Sequence, residues 1–160
     1  MTPPIPDDEL ITSEGLRALE AELAELETTG RQDMAKQIND ARSHGDLKEN
    51  ADYHIAKDEQ AHMETKIKRL RARLRSAVVV EADAQSSTFD FGRTAEVTDE
   101  ETGETNTWTI VGATEADLSK GLLSAESPMG RGLVGSAPGS TVEVETPRGT
   151  RRYRIDKVLP

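Results

Sequence analysis

The 160-residue chain contains no cysteine, which excludes disulfides and thiolate metal sites and fits a reducing cytoplasm. Aromatic residues are also scarce, at 3%, and hydrophobic residues reach only 34% against 31% charged, so one large core is not expected and an elongated helical part is favoured. Long apolar runs are absent. Nothing approaches the roughly 20 apolar residues of a membrane span, and the opening MTPPIPDDEL lacks the basic start and apolar stretch of a secretory leader. Positive charge is in the minority, with 20 lysines and arginines against 30 acids and a net charge of −10. General affinity for nucleic acid depends on cationic contacts, so any nucleic-acid role must be local. A cytoplasmic protein without a membrane partner is expected, built as one ordinary domain or two small ones.

What is present divides into a helical and a β-rich part. Residues 1–10 hold three prolines and three acids and read as a flexible tail. Thr12 is placed to cap a helix, with Ile11 and Leu16 set to staple its first turn. Leu16, Leu19, Leu23 and Leu26 then follow spacings of three and four, which puts them on one seam. The phase shifts at Thr28-Thr29-Gly30 and resumes with Met34, Ile38 and Ala41, so a local distortion of one helix is expected there. Ala56, Met63, Ile67, Leu70, Leu74 and Ala77 carry the same rhythm, and a short polar turn joins the two segments. The reading is an antiparallel coiled-coil hairpin over 11–78, whose seams are satisfied within one chain and therefore favour a monomer. From Val78 onward VVVEAD, TAEVTD, TWTIVG, STVEVET and RRYRIDKV read as strands, with hairpin turns at Gly103 and Gly149 and a short helix or loop over Ser127–Val134. The fold class is α+β, with a small second domain over 79–160.

The turn of the hairpin, ARSHGDLKENADYH from Ala41 to His54, carries the chemistry. Asp46 and Glu49 admit two readings. In the first they form a capping box, with Asp46 as N-cap of the second helix and Glu49 reaching back to it. In the second they are oxygen ligands for a divalent cation such as Mg2+. Two carboxylates are too few for a dedicated magnesium site, so an ion here would be shared with a partner macromolecule or a phosphate, which points away from a self-contained enzyme. His44 and His54 are read as exposed or hydrogen-bonding, and Arg42 and Lys48 as solvated charges. Tyr53 is either a contact surface or interhelical packing. Lys66, Lys68, Arg69, Arg71, Arg73 and Arg75 make a basic run that is either a solvated helix face or a surface for an anionic partner.

The stretch ARSHGDLKENADYHIAKDEQ resembles the signature of the Gre family of bacterial transcript cleavage factors, closest to its GreA-type members. ITSEG at 11–15, FGRTAEV, TWTIVG, ADLSKGLLSAESPMGRGLVG and TVEVETPRGTRRYRIDKV resemble the rest of the family in order, so the likeness spans about residues 11–160. It implies a transcription elongation factor whose hairpin enters the secondary channel of bacterial RNA polymerase. There Asp46 and Glu49 would help bind a shared Mg2+, which the polymerase uses to cleave backtracked RNA. It implies polymerase or RNA contacts for Arg42, Lys48, Asn50 and Tyr53, with the nascent RNA 3′ end as a second partner. It offers the basic run a role on emerging RNA, and the weight of that run leaves open a GreB-like preference for longer backtracked RNA.

The resemblance also implies an FKBP-like fold for 79–160. A prolyl isomerase pocket is lined by several aromatics, whereas this domain offers Phe89, Phe91, Trp108 and Tyr153 with no sign of convergence, so isomerase activity is not expected. Docking at the channel rim is the implied role, with Ser127 and Pro128 as contacts. Gly130 departs from the alanine expected before Arg131, which bears on local packing. The rival reading is a Gre-fold regulator that occupies the channel without stimulating cleavage, but such members depart from the family at the tip, where this chain does not.

Overall fold

A computed structural model describes residues 8–46 and 49–160. Two compact units result, one from Leu16–Ala77 and the other from the residues up to Gly15 together with Val78–Pro160. The expected tail over 1–10 lies outside the described residues up to position 7, while Glu9 and Leu10 belong to strand β1 (Glu9–Ile11). This strand pairs with β2 (Ala77–Val79) in a two-stranded sheet. The second unit therefore includes residues 8–15 as well as Val78–Pro160.

The helical unit runs through α1 (Ser13–Glu25), a π-helical turn at Leu26–Gly30, and α2 (Arg31–Arg42), then returns as α3 (Ala51–Ser76). Thr12 caps α1 as its position suggests, its hydroxyl oxygen accepting the Gly15 N–H at 3.0 Å. The π turn explains the shift in the leucine rhythm. A seven-residue step from Leu26 leads to Asp33, yet the seam resumes one residue later at Met34. A π turn takes up one extra residue and returns the following apolar positions to the same face. Leu19, Leu23, Ala41, Ala56, Ile67 and Leu70 are all buried on the resulting seam. Across it, Arg31 grips Glu64 through two hydrogen bonds of 3.0 Å, and Arg71 meets Glu27 at 2.7 Å. These pairs are partly exposed to solvent, so they set register more than they stabilise.

The other unit is a five-stranded mixed sheet in the order β5-β4-β3-β7-β6. Strands β3 (Thr94–Asp99), β4 (Thr105–Val111), β6 (Thr141–Thr146) and β7 (Gly149–Val158) pair antiparallel, with a bulge at Glu96/Val97. The short β5 (Leu122–Ser124) joins β4 in parallel. Alternation selects the core face: Ala95 and Val97 on β3 and Tyr153 and Ile155 on β7 are buried with Phe89, Ile110, Leu123, Leu133 and Val144. The aromatics do converge, contrary to the sequence reading, but as core. Trp108 and Tyr153 meet edge to face at 6.0 Å, and Phe89 is wholly buried.

Helix α4 (Pro128–Leu133) occupies the segment expected to be a short helix or loop. Gly130 is a requirement there, because a Cβ would lie 1.9 Å from the Ser124 carbonyl oxygen. The alanine expected at this position has no room unless α4 moves away from β5. At the chain's beginning, Glu115 accepts the Thr12 N–H at 3.1 Å, the Gly112 N–H at 2.9 Å and the Thr12 hydroxyl, securing the first residues of α1 within this unit.

Candidate functional site at the hairpin tip

The tip is closed by Asn50. Its side-chain oxygen accepts the Tyr53 N–H at 3.0 Å and caps α3, while its amide nitrogen donates to the Ala41 carbonyl oxygen at the end of α2. One buried amide thus starts the returning helix and ties it to the outgoing one. This corrects the capping-box reading of Asp46 and Glu49. The N-cap lies four residues beyond Asp46, and Glu49 precedes it, its N–H donating to the Asp46 carbonyl oxygen at 3.2 Å. Helix α3 therefore needs neither carboxylate for its start.

Asp46 and Glu49 are both exposed. With His44, Asn50, Ala51 and Asp52 they line an open concavity of about 410 Å3. Gly45 has φ +125°, a left-handed backbone that glycine adopts without strain, and a Cβ there would meet nothing within 4 Å. The glycine serves the path of the chain. No group of three or more His, Asp or Glu side chains among the described residues is arranged to hold a metal ion. The tip thus offers acids in the number of a partial site.

The remaining expected site residues divide between exposed and structurally committed positions. Arg42 is exposed at the end of α2, and Lys48 lies outside the described residues. Asn50, expected to touch polymerase or RNA, is buried and committed to the turn. Tyr53 is half-buried with its ring 5.7 Å from that of His54, edge to face, between the two roles considered for it. Ser127 caps α4 by accepting the Gly130 N–H at 3.0 Å and donates to the Ser124 carbonyl oxygen at 2.7 Å, whereas Pro128 is exposed. The basic run splits too. Lys66 pairs with Glu22 at 2.8 Å and Arg71 with Glu27, while Lys68, Arg69 and Arg75 are exposed without an ion pair among the described residues.

Comparison with known proteins decides the family. The profile "Transcription elongation factor, N-terminal" matches residues 9–79, and "Transcription elongation factor, GreA/GreB, C-term" matches residues 84–160. The chain belongs to the GreA/GreB family of transcription elongation factors. Among similar GreA/GreB proteins, a transcription elongation factor GreA of Jannaschia sp. is 43% identical over 92% of this chain and 95% of its own. That of Bradyrhizobium sp. is 45% identical over 92% and 94%, and that of Magnetococcus marinus 42% over 99% of both. A solved structure of GreA factor homolog 1 from Thermus thermophilus, 26% identical, covers 96% of this chain and 99% of its own with a TM-score of 0.41.

Sequence reasoning missed two features of this GreA/GreB tip. The Asn50 cap was hidden because Asp46-x-x-Glu49 mimics a capping box, although Asn50 directly before a helix with Asp52 in its first turn was the competing signal. Asp52 was not singled out as a third carboxylate of the concavity, since a first-turn acid is ordinary helix chemistry.

Proposed function

We propose that the hairpin enters the secondary channel of bacterial RNA polymerase and that Asp46 and Glu49 there stimulate cleavage of backtracked RNA by lending oxygen ligands to a magnesium ion shared with the polymerase. The observation that carries this reading is the capping of α3 by Asn50, which shows that the N-cap is neither of the two exposed tip acids. Helix α3 has 26 residues and is about 39 Å long at 1.5 Å per residue, a length that suits delivery of a tip into a deep channel.

Two acids fit part of a magnesium shell, which is octahedral and oxygen-rich; polymerase groups, water and RNA phosphate would supply the rest. When bound, the ion supplies activation of water and stabilisation of the leaving oxygen in a two-metal arrangement. Asp46 and Glu49 orient and neutralise, the polymerase cleaves, and the factor is not itself an enzyme. A site incomplete outside the polymerase binds metal weakly and lets the tip withdraw.

Arg42 and Tyr53 are the described side chains available to the RNA 3′ end. Lys68, Arg69 and Arg75, exposed and without an ion pair among the described residues, are available to emerging RNA. Pro128 marks the surface of the sheet unit that docks at the channel rim. The factor acts as a monomer in the cytoplasm; no described helix is long and apolar enough to cross a membrane. A channel-occupying regulator that does not stimulate cleavage is not favoured, because both tip acids are present.

The test is a magnesium titration of RNA cleavage in backtracked complexes. The native factor should lower the concentration needed for half-maximal cleavage, and Asp46→Asn with Glu49→Gln should cancel that shift. An equal shift with the double variant would remove these acids from the mechanism.

A further inference from the structure

Beside the tip, α2 and α3 enclose a second open groove of about 290 Å3. Buried Ala41 and Ala56 form its floor, small side chains that leave a hollow on the seam. Ile55, 56% exposed, stands on its wall, and Asp40, Asp52 and Glu59 stand around it. All three acids are exposed, and none has an ion pair among the described residues. Asp40 is the least comfortable of them. It lies in the last turn of α2, where the negative end of the helix dipole disfavours a carboxylate. Helix stability alone does not account for an acid there.

An apolar floor and wall whose rim carries three carboxylates beside Gln37 and His44 match an aliphatic stem ending in a cation, with the carboxylates outnumbering the one imidazole. We propose that this groove receives a lysine or arginine side chain of the polymerase, its stem against Ala41, Ile55 and Ala56 and its charged head among Asp40, Asp52 and Glu59. This rests on the channel-insertion reading above and adds a clamp on the side of the hairpin that shares Asp52 with the tip concavity but uses neither Asp46 nor Glu49. The rim repels phosphate, which argues against RNA as occupant, and no described group of three ligands suits a metal ion.

The experiment measures equilibrium binding of the full-length factor to its own elongation complex by competition, beside its thermal melting and its saturating cleavage rate. Ile55→Ala and Asp40→Asn with Glu59→Gln should each weaken binding by about threefold to tenfold, with an unchanged saturating rate. Asp40→Asn should meanwhile leave melting unchanged or raise it, an opposition that a structural role for Asp40 does not produce. Variants that bind within about twofold of native would overturn the groove while leaving channel insertion intact. Native protein that fails to bind polymerase would overturn both. Titration of the free protein with Mg2+ alone should show no loss of affinity in the Asp40/Glu59 variant; such a loss would make the groove a cation site and end the proposal.

Discussion

Asn50 and its two acidic neighbours divide the work of the tip, one holding the turn and the others facing out. Replacing Asn50 by Ala removes the cap and the side-chain donor to the Ala41 carbonyl, which then keeps only longer backbone bonds such as that from the His44 N–H at 3.2 Å. The expected cost is about 2 kcal/mol, the sum of an N-cap and a buried hydrogen bond, and Asn50→Ser should recover about half by keeping a cap acceptor; urea denaturation measures both. By contrast, Asp46→Asn with Glu49→Gln should change stability by less than about 0.5 kcal/mol, because exposed side chains away from caps and cores rarely matter more. Equal losses from the two substitutions would return the acids to a structural role. Gly130 provides a third case. With a Cβ held 1.9 Å from a carbonyl oxygen, Gly130→Ala should destabilise the sheet unit by about 1–3 kcal/mol through overpacking, read from the same denaturation curves.

At the scale of elements, the π turn accounts for the spacing of the hairpin seam and makes an unusual forecast. Deleting Thr29 removes the extra residue, so a regular α-helix would carry Leu26 and Met34 on one face. Thermal melting by circular dichroism should remain cooperative and lie near the native midpoint. Deleting Lys36 in α2 should lower the midpoint by clearly more, because about 100° of rotation takes Ile38 and Ala41 off the seam, and relaxing the π turn to absorb it would take Met34 off instead. The reverse ranking would mean that the π turn has another cause. The hairpin, its cap at Thr12 and the distortion near Gly30 were legible in the sequence because apolar periodicity and capping chemistry are local signals. Most strands were legible for the same reason. Strand β5 was not, since three residues joined in parallel to β4 leave no alternation to read. Nor was the recruitment of Glu9–Ile11 into a sheet with Ala77–Val79, because that pairing joins residues far apart in the chain. At the tip, the acids were legible and the Asn50 cap was not, because a local motif offered a false alternative four residues earlier.

For the whole molecule, a net charge of −10 makes carboxylates the groups that set its response to acid. Asp90 is held below the usual carboxylate range by the Ser86 and Thr88 hydroxyls, and Asp156 by Thr98 and then Arg154. A carboxyl depressed in the folded state contributes stability above its unfolded value and loses it as pH falls through the folded one. The urea midpoint should therefore be steady between about pH 7 and 5 and decline below about pH 4, with a shallower decline in Asp90→Asn with Asp156→Asn. An unchanged decline would place the acid sensitivity elsewhere. The proposed function joins a hairpin that would deliver acids to a polymerase that would use them. The most direct measurement is the rate of RNA 3′-fragment release from a stalled, backtracked elongation complex at fixed magnesium, with native factor and with the Asp46/Glu49 double variant at concentrations that saturate binding. Faster release is expected with the native factor, and the polymerase's own unstimulated rate with the fully bound variant. Binding by the native factor without faster release, or equal release with both proteins, would contradict it.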